Sequence, residues 1–207
     1  FSLSPGDLKK RILGCGDGPA GFNAELSSRG GAVVSVDPIY RFTADEIKQR
    51  IDHTYDTIIE QTKSNRDEFV WNNIKSVEDL GHIRMQAMGL FLGDFSRGSG
   101  RYTAGALPSL PFKDKQFDLA LCSHFLFLYS KQHTVEFHIK SLCELCRVAA
   151  EVRVFPLLEL GSITSRHLHT VLDTLPKCGF ECCVENVAYE FQKGGNEMLQ
   201  VQSCTRC

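Results

Sequence analysis

Two kinds of apolar spacing alternate along the chain. Short apolar runs bounded by Gly, Pro or charged residues occur at "KRIL", "AVVSVD", "FDLALCS", "EVRVFPLL", "FECCVENVAYEF" and "EMLQVQSC". Runs of this length and setting predict buried strands. A further short strand falls in the turn-rich "RYTAGALPSLPF". Between these runs the spacing becomes helical. "FNAELSSRG" sets Phe22 and Leu26 four apart and closes on Gly30, a glycine-terminated helix. "TADEIKQRIDHTYDTIIEQTKSN" opens with a Thr43/Glu46 capping box and puts Ile47, Ile51, Tyr55, Ile58 and Ile59 on one face. Helices are also expected in "VEDLGHIRMQAMGLFLGDF", in "HTVEFHIKSLCELCRVA" and in "TSRHLHTVLDTLPKCG", the last closed by Gly179.

Strands alternating with helices predict an α/β protein: a Rossmann-like, doubly wound, mostly parallel sheet of seven strands covered on both faces. The last two strands lie close in sequence, so the final one runs antiparallel. Residues 1–207 form one domain on this reading, with a polar, helical insertion at about 41–100 after the second strand. No internal repeat or low-complexity tract interrupts it.

Composition narrows the function. Of the residues 43% are hydrophobic and 23% charged, with a net charge of −2, values ordinary for a globular domain able to bury its own core. The mild acidity gives no support for a nucleic-acid partner. The sequence has no apolar run of about 18 residues and no basic-then-apolar start. The expectation is a cytoplasmic protein with a small-molecule substrate and no membrane partner. Nine cysteines include two CxxC pairs, Cys143/Cys146 and Cys204/Cys207. Four such thiols can hold zinc. These pairs are far apart, one inside a helical segment and the other at a chain end, so free thiols in a reducing compartment are expected and no metal.

The stretch "RILGCGDGPAGFNAELSSRGGAVVSVDPIY" carries the clearest chemistry. A strand, a glycine loop, a helix and a second strand form a crossover unit of about thirty residues. Glycines at such a turn let the backbone approach a ligand closely. Gly16, Gly18 and Gly21 fit GxGxxG, the dinucleotide fingerprint; Gly14, Gly16 and Gly18 fit GxGxG. Asp37 at the tip of the second strand suits either reading, because a carboxylate there accepts hydrogen bonds from ribose hydroxyls.

The GxGxG register resembles the first motif of class I S-adenosylmethionine (SAM)-dependent methyltransferases. Downstream, "LPSLPFKDKQFDLALCSHFLFLY" resembles the "LPF-x-D-x-x-FD" lead into that superfamily's fourth strand, from Leu110-Pro111-Phe112 through Asp114 to Phe117-Asp118. "LCELCRVAAEVRVFPLL" resembles its following helix and fifth strand. The resemblance spans nearly the whole chain outside 41–100. It implies SAM as cofactor, with Gly14, Cys15, Gly16, Asp17 and Gly18 lining its methionine and ribose. Asp37 would hold the ribose hydroxyls, Pro38 and Ile39 would flank the adenine, and Ala106 and Leu107 would lie beside it. Ser123 and His124 would face the transferred methyl. Two positions depart from the pattern: Ile12 and Ala106 stand where the superfamily usually carries acidic residues.

Methyl transfer from a sulfonium needs alignment and exclusion of water, and a base where the acceptor carries a proton. His124 is the candidate base, since imidazole titrates near neutrality; a histidine merely capping the strand is the alternative. Tyr40, Arg41 and Phe42 emerge beside the cofactor loop and are candidates for substrate contact, Arg41 toward an acidic group; a solvated Arg41 with the two aromatics packing the insertion onto the core is the alternative. Asp118 starts its strand and reads as structural. Tyr129 and Trp71 read as core residues, and Gly194-Gly195-Asn196 as a tight turn. A dinucleotide-dependent oxidoreductase and a non-catalytic binding module of degenerate methyltransferase fold are the competing functions. The first leaves the "LPF" segment unexplained, and the second draws on Ile12 and Ala106.

Overall fold

The computed structural model describes residues 1–98 and 100–204. β1 (Arg11–Cys15) leads through the glycine loop to α1 (Phe22–Ser28) and β2 (Ala32–Val36). A 3-10 turn over Pro38–Arg41 precedes α2 (Ala44–Ser64) and α3 (Val77–Phe95), and β3 (Tyr102–Thr103) follows. Then come β4 (Phe117–Ser123), α4 (Val135–Val148), β5 (Ala149–Phe155) and a small hairpin, β6 (Leu158–Glu159) with β7 (Ile163–Thr164). α5 (Leu168–Thr174), β8 (Phe180–Asn186) and β9 (Glu197–Ser203) complete the chain.

Seven strands form one sheet in the order β3-β2-β1-β4-β5-β9-β8. β1 to β5 are mutually parallel, and β9 alone runs antiparallel, to both β5 and β8. The expected fold class is therefore present. Strand order reverses direction between β1 and β4, which opens a crevice at the carboxyl ends of those strands. Arg11 pairs with Ala32 and Cys15 with Val36, so the glycine loop and Asp37 leave the sheet side by side.

The side-chain period of two divides the core between the faces. Ile12, Val33, Leu119 and Leu121 face Phe22 and Leu26 of α1. Leu13, Val36, Ala120 and Cys122 lie in the other layer with Leu142 and Leu145 of α4. Burying each such Leu or Ile stabilises the fold by about 1.5–3 kcal/mol. Ile12 is fully buried in this packing. At the opposite end of the sheet Asp118 accepts from the Arg11 amide (2.8 Å) and guanidinium (2.7 Å), remote from the crevice.

Several elements differ from the pattern reading. Pro156 lacks the N–H a strand needs, so "EVRVFPLL" splits and β5 ends at Phe155. Leu158–Glu159 then pairs with Ile163–Thr164 instead. Pro176 likewise ends α5, whose last residues become a 3-10 turn over Leu175–Cys178 before Gly179. α3 packs on α1 and is the crossover to β3, while α2 lies outside it. Tyr129 is 38% exposed rather than core. The connection from β8 to β9 docks on the 66–71 segment. Val70 donates to the Phe191 carbonyl (2.7 Å), and Phe69, Trp71 and Phe191 cluster there.

Cys143 and Cys146 lie in α4 and Cys204 follows β9, whereas Cys207 lies outside the described residues. The described cysteines are free thiols. Among the described residues no cluster of three or more His, Cys, Asp or Glu could hold a metal ion, and no helix is long and apolar enough to cross a membrane.

Candidate functional site

The glycine loop turns where β1 meets the crevice. Gly16 has φ of +68° and Gly18 of +57°, a region that favours glycine. A Cβ on Gly16 would stand 2.9 Å from the Phe125 ring. At Gly18 the same position is open space, so the loop is backed at one glycine and accessible at the other.

Two carboxylates organise the loop from below. Asp37 caps the 3-10 turn: its Oδ1 accepts from the Ile39 amide and its Oδ2 from the Gly18 amide, both at 2.9 Å. Burial raises its pKa, opposed by these two donated hydrogen bonds. Asp17 folds inward beneath Gly14, where its Oδ2 accepts from Ser35 Oγ at 2.6 Å. Burial, partly offset by that hydrogen bond and reinforced by the Asp37 charge, pushes its carboxyl up to about 6. Ser35 is held in turn by Asn23 Nδ2 at 3.1 Å, and Asn23 Oδ1 accepts from Arg101 Nε at 3.1 Å.

Tyr40 locks the loop from the other side. Its hydroxyl donates to the Gly18 carbonyl at 2.7 Å, and its ring packs among Phe91, Phe95 and Tyr102. It is 8% exposed and therefore sits in the core behind the loop. Pro38 is exposed, Ile39 is half-buried, and Arg41 stacks its guanidinium over the Phe42 ring at 4.8 Å.

The segment leading to β4 is clamped by α4. Leu110 donates its amide to Glu144 Oε1 at 2.6 Å, and Arg147 donates to the Leu110 and Phe112 carbonyls and to Asp114. This clamp explains the regular spacing of "LPSLPFKD": its backbone carbonyls and Asp114 are the acceptors of one guanidinium. Ala106 is exposed at the start of the segment, while Leu107 is buried in the main core. Ser123 ends β4 and His124 follows it. His124 (φ +50°) donates its amide to the Phe155 carbonyl at 2.8 Å, and its Nδ1 lies 2.9 Å from Ser123 Oγ. Its ring meets Phe155 edge-on while part of the residue stays exposed. Desolvation, then the charge of Arg84, lowers the imidazole pKa, which favours the neutral, proton-accepting form.

Beside the loop, a cleft of about 600 Å³ runs between α2 and α3, within the range of small-molecule sites. Pro19, Ile39 and Phe42 line its loop end. The apolar stripe on α2 divides in use. Ile47 and Ile51 are buried, while Tyr55, Ile58 and Ile59 stay half-exposed along the wall.

No protein-family model matches the chain. The uncharacterized protein MJ0045 of Methanocaldococcus jannaschii is 30% identical over 203 residues, which cover 98% of this chain and 90% of that protein. The chain belongs to the MJ0045 family. A SAM-dependent methyltransferase structure from Methanosarcina mazei superposes with a TM-score of 0.51 at 15% identity, covering all of both chains. The fold is thus that of the class I SAM-dependent methyltransferases. A magnesium protoporphyrin IX methyltransferase from Synechocystis, crystallised with bound SAM, aligns with a TM-score of 0.49 at 12% identity, over 96% of this chain and 73% of that one.

Within this family fold the glycine loop, Asp37, Pro38 and Ile39 come together at the tips of β1 and β2, and Ser123 and His124 at the tip of β4. Cys15 and Tyr40 turn their side chains into the core and present backbone alone. The pattern reading missed Asn23, Ser35, Phe125 and Arg84. Ser35 had a visible signal, a hydroxyl inside the apolar "AVVSVD" run, where a buried polar group needs partners. Phe125 adjoins His124 in sequence, but only the assembled fold sets its ring behind Gly16; Arg84 comes from α3, with no local signal linking it to the loop.

Proposed function

We propose that the chain is a cytoplasmic SAM-dependent methyltransferase acting on a small-molecule acceptor. The observation that carries this reading is the Gly18–Asp37 pair at the switch point. Gly18 leaves open space beside a carboxylate whose oxygens each take one backbone N–H, which leaves further lone-pair directions free. Those free acceptor directions and that space fit the ribose diol, whose hydroxyls donate, and the close backbone approach of a nucleoside cofactor. When bound, SAM supplies an electrophilic methyl on a sulfonium whose thioether leaves as a neutral group.

The chain's own residues divide the remaining work. Gly14, Gly16 and Gly18 bring backbone close to the cofactor, with Asp17 and Cys15 beneath. Asp37 holds the ribose hydroxyls, Pro38 and Ile39 flank the adenine, and Ala106 with Leu107 borders it through backbone. Ser123 orients His124 through Nδ1, so that the other ring nitrogen can take a proton from the acceptor. Phe42 and Arg41 stand at the cleft mouth, where an acceptor enters. The near-neutral charge and free thiols support a cytoplasmic site without a nucleic-acid or membrane partner.

Thermal shift with a ligand panel tests this. A ligand present at about 100 times its Kd adds about 2.7 kcal/mol of stability. SAM and S-adenosylhomocysteine are expected to raise Tm by several degrees, with NAD and FAD silent. A response to NAD or FAD alone would replace methyl transfer by the dinucleotide reading.

A further inference from the structure

The cleft between α2 and α3 has a composition that selects its occupant. Its walls are apolar, with Ile47, Ile51 and Ile58 on one side and Met85 and Met88 on the other. Two arginines, Arg50 and Arg84, also line it. Arg11, Arg29, Arg101, Arg147, Arg153 and Arg166 each pair with a carboxylate of the chain. Arg50 and Arg84 have no such partner among the described residues. The carboxylate in the lining, Glu46, is committed to its own helix start: its Oε2 accepts from the Thr43 amide and hydroxyl, both at 2.8 Å. At the mouth, Arg41 stacked over Phe42 adds a third positive charge. Phe42 is 42% exposed and Met85 36%, so apolar surface lies open to solvent beside these charges.

Apolar walls bordered by arginines that have no carboxylate partner among the described residues favour a ligand that is apolar along its body and anionic at one end. We propose that this cleft binds a small amphiphile, its apolar body between α2 and α3 and one carboxylate paired by Arg50 and Arg84. The apolar body would run along the Ile51 and Ile58 wall. The amphiphile's role as methyl acceptor rests on the preceding functional reading; its binding does not.

The test is calorimetric titration of the full chain, without SAM, using decanoate and decanol below their aggregation concentrations. Decanoate is expected to bind one to one, and decanol at least about tenfold more weakly. The double variant Arg50→Gln/Arg84→Gln, both positions exposed, should weaken decanoate about tenfold or more and leave decanol unchanged. Thr54→Trp, with folding checked by circular dichroism, should fill the cleft and remove binding of both. No binding of decanoate, equal binding of acid and alcohol, indifference to the arginine pair, or survival of binding in a folded Thr54→Trp variant would each overturn the proposal. Because SAM is absent, failure here leaves SAM binding at the strand tips untouched, and loss of SAM binding leaves this result standing.

Discussion

Replacing Asp17 by Asn removes a carboxyl that the fold holds in an unfavourable setting while keeping an oxygen to accept from Ser35. Burial, and then the neighbouring Asp37 charge, raises Asp17 from 3.8 to about 6 against the opposing Ser35 hydrogen bond. At 1.36 kcal/mol per pKa unit, that gap puts the cost of ionising Asp17 in the fold on the order of 3 kcal/mol. Because the folded-state pKa lies above the unfolded one, the folded state binds the proton more tightly. Below 3.8 Asp17 is protonated in both states and imposes no cost; the cost grows through the window from 3.8 to about 6 and is complete above it. The difference in unfolding free energy, Asp17→Asn minus the parent, should be flat below about pH 4 and rise by roughly 2–3 kcal/mol by about pH 7. Urea unfolding followed by Trp71 fluorescence at several pH values measures it. A difference independent of pH, or one that falls as pH rises, would refute the electrostatic account of the loop.

The glycine loop makes a second comparison. Gly16→Ala forces a Cβ against Phe125 at positive φ and should cost about 2–4 kcal/mol, whereas Gly18→Ala meets only the φ penalty, about 1–2 kcal/mol; thermal denaturation of the two variants ranks them. Tyr40→Phe deletes the donor to the Gly18 carbonyl and should lose about 1 kcal/mol of stability with the aromatic cluster intact, read by urea unfolding. His124→Ala should keep SAM affinity but slow transfer to a protonated acceptor by about 100-fold or more, with the acid limb of the pH–rate profile abolished. An unchanged profile would reduce His124 to a strand cap.

Much of the fold was legible because its signals are local. Six of the seven strands announced themselves as short apolar runs. The Thr43/Glu46 capping box is formed as expected, with the Glu46 amide donating to Thr43 Oγ1 at 3.3 Å. The glycine spacing marked the turn between β1 and α1. Less legible were features whose cause lies across the sequence. Asp37 read as a ribose acceptor, yet its position is fixed by the Gly18 and Ile39 amides. At Tyr40 the sequence leaves a pocket wall and a core anchor both open, and the aromatic residues of α3 and β3 decide it by drawing the ring into the core. The α2–α3 cleft had no sequence signature beyond an apolar stripe, since the same spacing serves a stripe fully buried by a neighbour. Only the packed pair of helices reveals which half stays open.

The central claim is that the strand-tip loop with Asp37 holds SAM. It is tested most directly by calorimetric titration of the folded chain, first cleared of carried-over ligand, with SAM and S-adenosylhomocysteine. One-to-one binding of both is predicted, weakened at least about tenfold in Asp37→Ala. Folded protein that binds neither, or an Asp37→Ala variant that binds both as tightly as the parent, would contradict it.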